Sequence, residues 1–441
     1  HMGNIARILV IGQGGREHAI VRQVAQNKNT EKVFVVPGSD GMLSSPKVEC
    51  VKLSLDVSAF PKLIEFAKAN GVDLVIVGPE QPLADGFTDL ARASGLLVFG
   101  PSGAGARLEA SKIHAKELML AAGVRTARSF VVSTVDETLK AATHFKPPYV
   151  LKADGLAAGK GVFIEKTLEG LKASARFLFE ERGLGAAGER ALLEEFSPGI
   201  ELSHLVLTNG HGHVAMPAAR DHKRLMDGDE GPNTGGMGVV APVPLAPGLF
   251  EQIEKEVVEP VIREIEKRGL VFRGVLFVGL MLTAEGPSVL EFNTRFGDPE
   301  AQVLMALLDE EAGPSWVEVM ASIARGELPS PQWARSRSVA CLVLAAEGYP
   351  DQPVKGVAIS GLDAKGALAS SAKMDETAWV IHAGTRKGPN GAFETNGGRV
   401  LNILGTSETS MNEALTRAYK AADNVQWPGR QMRKDIGRTL L

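Results

Sequence analysis

Glu291 to Gln302 reads EFNTRFGDPEAQ and follows the apolar run VLFVGLMLTAEGPSVL, Val275 to Leu290. Glu285-Gly286-Pro287 lies inside that run and predicts a hairpin turn, so the polar stretch closes the second strand of a β-hairpin. Side chains alternate faces along a strand. Glu291, Asn293 and Arg295 therefore share one face, and Phe292, Thr294 and Phe296 the other. Two oxygen donors beside a guanidinium suit a metal-bound phosphate, although a solvated strand could carry the same residues. Mg²⁺ takes few ligands from protein and fills its shell with water and nucleotide phosphate. Glu291 and Asn293 are thus the candidate metal ligands, and Arg295 a grip for a carboxylate or phosphoryl oxygen.

Outward from this stretch, the N-terminal hundred residues repeat an apolar run, a Gly or Pro turn and a helical segment. The runs are ARILVIGQGG, VFVVPGS, DLVIVGPE and LLVFGPS, with AFPKLIEFAKANG as one helix. Continuous apolar runs alternating with helices predict parallel strands buried on both faces, a small doubly wound sheet. Ligands of such sheets sit at the carboxyl ends of the strands. There GQGGREH spans Gly12 to His18, but Glu17 stands where a dinucleotide fingerprint needs Gly, and Pro37-Gly38-Ser39 replaces an acidic ribose ligand. What remains is a glycine turn offering N–H groups at a helix N-terminus, suited to an anion or simply a strand-to-helix turn.

From about Leu108 the texture changes. LEASKIHAKELMLAAG predicts one helix closed by Gly123. PPYVLKADGLAAGKGVFIEK predicts two strands around a glycine-rich loop. It lacks the Walker A spacing, yet Lys152 and Gly159-Lys160-Gly161 can serve phosphates. LLEEFSPGIELS carries Glu194, Glu195 and Glu201, either a solvated acidic run or a connector that binds a base through its backbone. Charges and glycines crowd RDHKRLMDGDEGPNTGGMG, Arg220 to Gly238, which reads as a disordered loop or as a site for a charged substrate. His211 and His213 read as a hairpin tip rather than a metal pair. LPSPQWARSR is a plausible linker, and short strands, a helix and the tail RKDIG follow.

The 441 residues require more than one core; 44% are hydrophobic and 23% charged, as in a soluble globular protein. A net charge of -4 gives no basic field for nucleic acid, and no apolar run spans a membrane. Two isolated cysteines, Cys50 and Cys341, and no visible leader point to a reducing, cytoplasmic setting, with His1-Met2 a cloning remnant. GxSxG, HExxH and CxxC are missing, which removes several hydrolase and zinc classes.

In this order the stretches resemble the ATP-grasp ligases, and among them the glycinamide ribonucleotide synthetases, or phosphoribosylamine–glycine ligases. The resemblance runs from ILVIGQGGREHA through DLVIVGPEQPLADG, FGPS, LEASK, VLKADGLAAGKGV, DHKR, GDEGPNTGGMG and EFNTRFGDPE to GTR, GGRV and RKDIG. PGSDG stands where the family more often has PGNxG, and PGIE where two acidic residues are usual. The resemblance implies an N-terminal Rossmann-like substrate domain at 3–107, an ATP-grasp domain at 108–328 with a mobile lid near 130–194, and a small mixed β-rich domain at 329–441. It implies ATP with Mg²⁺ or Mn²⁺, glycine and 5-phosphoribosylamine as substrates, and a monomer or weak dimer. Lys112, Lys152 and the Gly159, Lys160, Gly161 loop would meet the ATP phosphates, Glu194, Glu195 and Phe196 the adenine, and Glu201 the ribose. Glu291 and Asn293 would hold the metal. Arg295, Asp298 and Asp221 would orient glycine and the incoming amine. Gly14, Gly15, Arg16, Glu17, His18, Pro79, Glu80 and Lys223 would bind phosphoribosylamine. A different ATP-grasp ligase or a purine-pathway carboxylase would share the Lys152 loop and metal strand. A non-catalytic nucleotide-binding protein would bind ATP without turning it over.

Overall fold

The computed structural model describes residues 4–369 and 377–438, so His1 and Met2 lie outside it. Five parallel strands come first, in the spatial order Val98–Pro101, Leu74–Val77, Arg7–Gly12, Lys32–Pro37, Val48–Cys50. Their alternating side chains feed two cores. Ile8 and Val10 pack with Ile20 and Val24 of helix Gly15–Ala25, while Leu9 and Ile11 pack with Leu63 and Phe87 from helices on the other face. The sheet is doubly wound for this reason: both faces are apolar.

The parallel sheet does not end at its edge. Gly100 and Pro101 pair with Arg273 and Phe272 at the start of the long strand Phe272–Thr283. That strand pairs antiparallel with Gly286–Asn293 and with Ile200–Thr208. One nine-stranded sheet therefore runs through the first two units. Above it stands a four-stranded antiparallel sheet ordered Ser129–Val132, Ala191–Glu195, Tyr149–Ala153, Val162–Glu165. Helices Val135–Ala142 and Leu168–Phe179 cover one face of it through Leu151, Leu171, Leu178 and Leu193, a core of its own.

A further antiparallel sheet is ordered Arg220–Asp221, Gly238–Ala241, Ser338–Ala345, Arg399–Ser407, Ala378–His382, with helix Met411–Ala422 packed on it. Strands from the middle of the chain thus complete the sheet of its last hundred residues.

Two local expectations change. The single helix expected over LEASKIHAKELMLAAG is two, Gly103–Ala110 and Lys112–Ala122, broken at Ser111, whose backbone is extended. Ser111 Oγ accepts the His114 N–H at 3.1 Å and donates to Asp154 Oδ1 at 2.8 Å, so the serine caps a new helix. The charged stretch after Arg220 is not irregular: Arg224–Met226 and Glu230–Asn233 form an antiparallel ribbon. His211 sits at the tip after Ile200–Thr208 beside Glu266, and His213 opens the next strand against Glu254. Among the described residues no group of three or more His, Cys, Asp or Glu could hold a metal, and no helix is long and apolar enough to cross a membrane.

Candidate active site

The strand end follows its alternation in part: Phe292, Thr294 and Phe296 are buried and Glu291 is exposed, but Asn293, on the face of Glu291, is buried as well. Gly279 faces Glu291 and Leu280 faces Val289, which leaves Leu290 as the extra residue of a β-bulge. The bulge turns the Leu290 carbonyl toward Lys152 Nζ, 3.3 Å away. Burial pushes the Glu291 carboxyl up, but Lys112, Lys152, Lys223 and Arg295 outweigh it and hold the group below its ordinary value. Arg295 is fixed by Glu109 at 3.0 Å, with Asn293 Oδ1 at 3.4 Å and Glu80 at 3.6 Å. Glu109 also accepts the Thr294 N–H at 2.9 Å, so a buried carboxylate from helix Gly103–Ala110 sets the strand end.

Beside it, Glu194 lies between two lysines, Lys152 at 2.6 Å and Lys116 at 2.7 Å. Lys116 also donates to Thr126 Oγ1 and the Ala127 carbonyl. Burial raises the Glu194 carboxyl, and the lysine pair more than reverses that. Glu195 and Phe196 continue the connector and are exposed, Glu195 pairing with Arg128 at 3.0 Å. Lys112 begins its helix, and its charge is the largest single one acting on Glu291. Gly159 and Lys160 are exposed in the loop between strands Tyr149–Ala153 and Val162–Glu165, and Gly161 is buried. Glu201 is exposed and stands near Glu291. Burial, Glu291 and Asp221 raise its pKa against the pull of Lys223 and Lys152.

Asp221 and Lys223 form the third corner, 2.7 Å apart. The Asp221 carboxylate sits where a Cβ on Gly236 would lie, 2.6 Å from its Oδ2, and Gly236 has φ +124°. Only glycine meets both demands. Glu300, buried and bonded to Ser203 Oγ at 2.9 Å, faces the pair; burial and Asp221 raise its pKa.

The N-terminal turn meets the end of the hairpin strand through Arg16. A Cβ on Gly12 would meet Glu17 Cγ at 2.3 Å, and Glu17 Oε1 accepts the Gly14 N–H at 2.9 Å. Asp298 Oδ2 is 3.4 Å from the Arg16 N–H. Two donors expected to be offered to an anion at this helix start are therefore taken by the protein's own carboxylates. Glu17 also contacts the Arg16 guanidinium, which reaches the Phe296 carbonyl at 3.2 Å. His18 turns away, its Nδ1 accepting the His382 N–H at 2.8 Å. Gly15 is pressed against Asn402 and Gln302, while Pro79 and Glu80 begin the next helix near Arg295 and Arg16. Asp298 joins three parts of the chain: Arg16 from helix Gly15–Ala25, Gln302 at 2.8 Å, and Arg399 at 3.8 Å.

Lys116, Glu109, Glu300 and Arg399 also belong to this site, though sequence alone gives them no role. Lys116 had a signal, a lysine amid Ala115, Leu118 and Met119 on the buried side of its helix. Glu300 stands inside the quoted EFNTRFGDPE. Glu109 stands inside LEASK and Arg399 inside GGRV, but their partners are distant in sequence, so neither run tells what its charge pairs with.

Three family models match the chain in order: phosphoribosylglycinamide synthetase N domain over 6–109, ATP-grasp (A) domain over 110–301, and C domain over 339–439. A phosphoribosylamine–glycine ligase of Ralstonia nicotianae is 40% identical, covering 99% of both chains. One of Nostoc is 41% identical over 98% of this chain and 99% of its own. The crystal structure of phosphoribosylamine–glycine ligase from Thermotoga maritima superposes with a TM-score of 0.81 at 35% identity, covering 98% of this chain and 100% of that one. A Hydrogenobacter thermophilus biotin carboxylase domain shares the fold at TM-score 0.71 and 16% identity, covering 98% of this chain and 92% of its own. The chain belongs to the phosphoribosylglycinamide synthetase family.

Proposed function

We infer that this chain joins glycine to 5-phosphoribosylamine with ATP, through glycyl phosphate, giving glycinamide ribonucleotide, ADP and phosphate in purine synthesis. The observation that carries the reading is the cluster in which Glu291 and Asn293 lie among Lys112, Lys152, Lys223 and Arg295, beside Asp298, where Arg16 and Arg399 from the first and last parts of the chain meet.

ATP enters between the Lys152 loop and the Glu194–Phe196 connector. Lys152 and Lys112 neutralise phosphate charge, and Glu201 receives ribose hydroxyls. Glu291 and Asn293 suit Mg²⁺ or Mn²⁺: both offer oxygen, they share one strand face, and the surrounding cations favour ionised Glu291. A bound cation would supply charge neutralisation at the transferring phosphoryl group. Arg295 grips the glycine carboxylate while its oxygen attacks the γ-phosphorus and ADP leaves. Asp221, Lys223 and Asp298 orient the amine of phosphoribosylamine, which attacks the acyl carbon and expels phosphate. The N-terminal turn and Glu80 border the phosphoribosyl group. Positioning and electrostatics account for the rate, since no covalent enzyme intermediate is needed. The stretch from about 130 to 194 is the lid that keeps water from the acyl phosphate. The enzyme works in the cytoplasm as a monomer or weak dimer.

The test is ADP release from MgATP with glycine alone, with phosphoribosylamine generated in place alone, and with both. Turnover only with both supports the reading. Turnover indifferent to glycine, or full without phosphoribosylamine, overturns the substrate assignment.

A further inference from the structure

The tail RKDIG has no part in the chemistry above, yet it holds the Asp221–Lys223 corner from behind. Arg433 is a fully buried guanidinium. Its Nε and Nη2 donate to Asp435 at 2.8 and 2.9 Å. Its Nη1 donates to Asp229 at 2.9 Å and lies 3.3 Å from the Arg224 carbonyl. Asp229 is the left-handed residue, φ +56°, at the turn of the ribbon that begins right after Lys223. The backbones interlock too: the Gly228 N–H donates to Asp435 at 2.9 Å and the Lys434 N–H to Asp227 at 2.7 Å. At the other end of the segment the Gly437 N–H donates to His222 Nε2 at 3.1 Å. His222 Nδ1 donates to the Gly238 carbonyl at 3.0 Å, which makes this neutral imidazole a bridge between tail and loop. Tyr419 secures the tail itself, donating to the Arg433 carbonyl and accepting the Ile436 N–H.

We propose that Arg433 is a positioning residue, and that the tail Arg433–Gly437 is a strap fastening both ends of segment 222–229 so that Asp221 and Lys223 meet the amine substrate in one geometry. A planar guanidinium with two carboxylates and a carbonyl around it fixes direction as well as distance, which a lysine cannot reproduce. The proposal rests on the reading of Asp221 and Lys223 as amine-orienting groups.

The test compares the full chain with Arg433→Lys and Asp229→Asn. The second variant keeps a residue that tolerates positive φ and removes only a half-exposed charge, so it leaves the fold in place. Amide hydrogen exchange over 221–229, affinity for MgATP alone, and kcat/KM for phosphoribosylamine are measured. The expected result is faster exchange in both variants, MgATP affinity within about twofold, and kcat/KM for the amine lower by about 10- to 100-fold, the range a small misplacement produces. Unchanged exchange, unchanged kcat/KM, or an equal loss of MgATP affinity would overturn the strap. If the unmodified chain releases no ADP with both substrates, the substrate reading fails instead, and the exchange measurement decides the strap alone.

Discussion

Glu291 is the residue on which the proposed chemistry turns. It is exposed, kept ionised by four cations, and placed by a bulge rather than by a regular strand. Glu291→Gln keeps the shape and removes the charge. The expected outcome is a kcat for ADP release lower by about 10²-fold or more, the scale of losing one preorganised electrostatic group. Steady-state kinetics at saturating MgATP checks it, and a kcat within threefold of the parent, roughly 0.65 kcal/mol, would remove Glu291 from the phosphoryl site. Sequence alone singled out Glu291, Asn293 and Arg295 because a period-2 strand puts them on one face. It could not single out Glu109, which grips Arg295 across more than a hundred residues of chain.

Turns and caps decide where those residues stand. Gly236→Ala forces a Cβ at positive φ into the Asp221 carboxylate. The expected result is a loss of about 10²-fold in turnover, from displacement of a group near the reacting atoms. MgATP binding, read by calorimetry, should change little. Ser111 is the second device. Ser111→Ala removes the cap and the Asp154 bond, and should lower unfolding free energy by about 1 kcal/mol in denaturant melts. It should also weaken MgATP binding, because Lys112 is the next residue; unaltered binding would separate the cap from the nucleotide. The ATP-grasp elements were legible as apolar runs and glycine loops. The helix break is hidden because Ala, Lys, Leu and Met around Ser111 all favour helix, and the local cap is held by distant Asp154, which accepts the Ser111 O–H and the Ile113 N–H.

At the scale of the molecule, helix Gly15–Ala25 of the first unit meets the last sheet at His18 and His382. Burial holds His382 neutral, its pKa lowered from 6.5 to about 4, and burial with His382 lowers His18 in the same direction. The unfolded chain takes up these protons first as pH falls. The stability from His382 is therefore complete above about 6.5 and drains between there and about 4, amounting to roughly 3 kcal/mol. Thermal melts from pH 7.5 to 4.5 should show a falling Tm, and His382→Gln should flatten the slope. A slope identical in the variant would place the acid sensitivity elsewhere.

Sequence by itself determined the parallel first sheet, the hairpin with its polar strand end, the glycine loops and the family, because hydrophobic period and turn residues are local properties. Only the tertiary structure decided that the first sheet continues through Gly100 and Arg273 into the second, and that Arg220–Asp221 and Gly238–Ala241 join the C-terminal sheet. It alone placed Lys116 and Lys152 on one glutamate, and filled the N-terminal glycine turn with Glu17 and Asp298. The physical reason is common to all of these. Backbone edges pair with whichever strand arrives, and a buried charge must find its counter-charge wherever the fold brings one, at a distance no local pattern encodes.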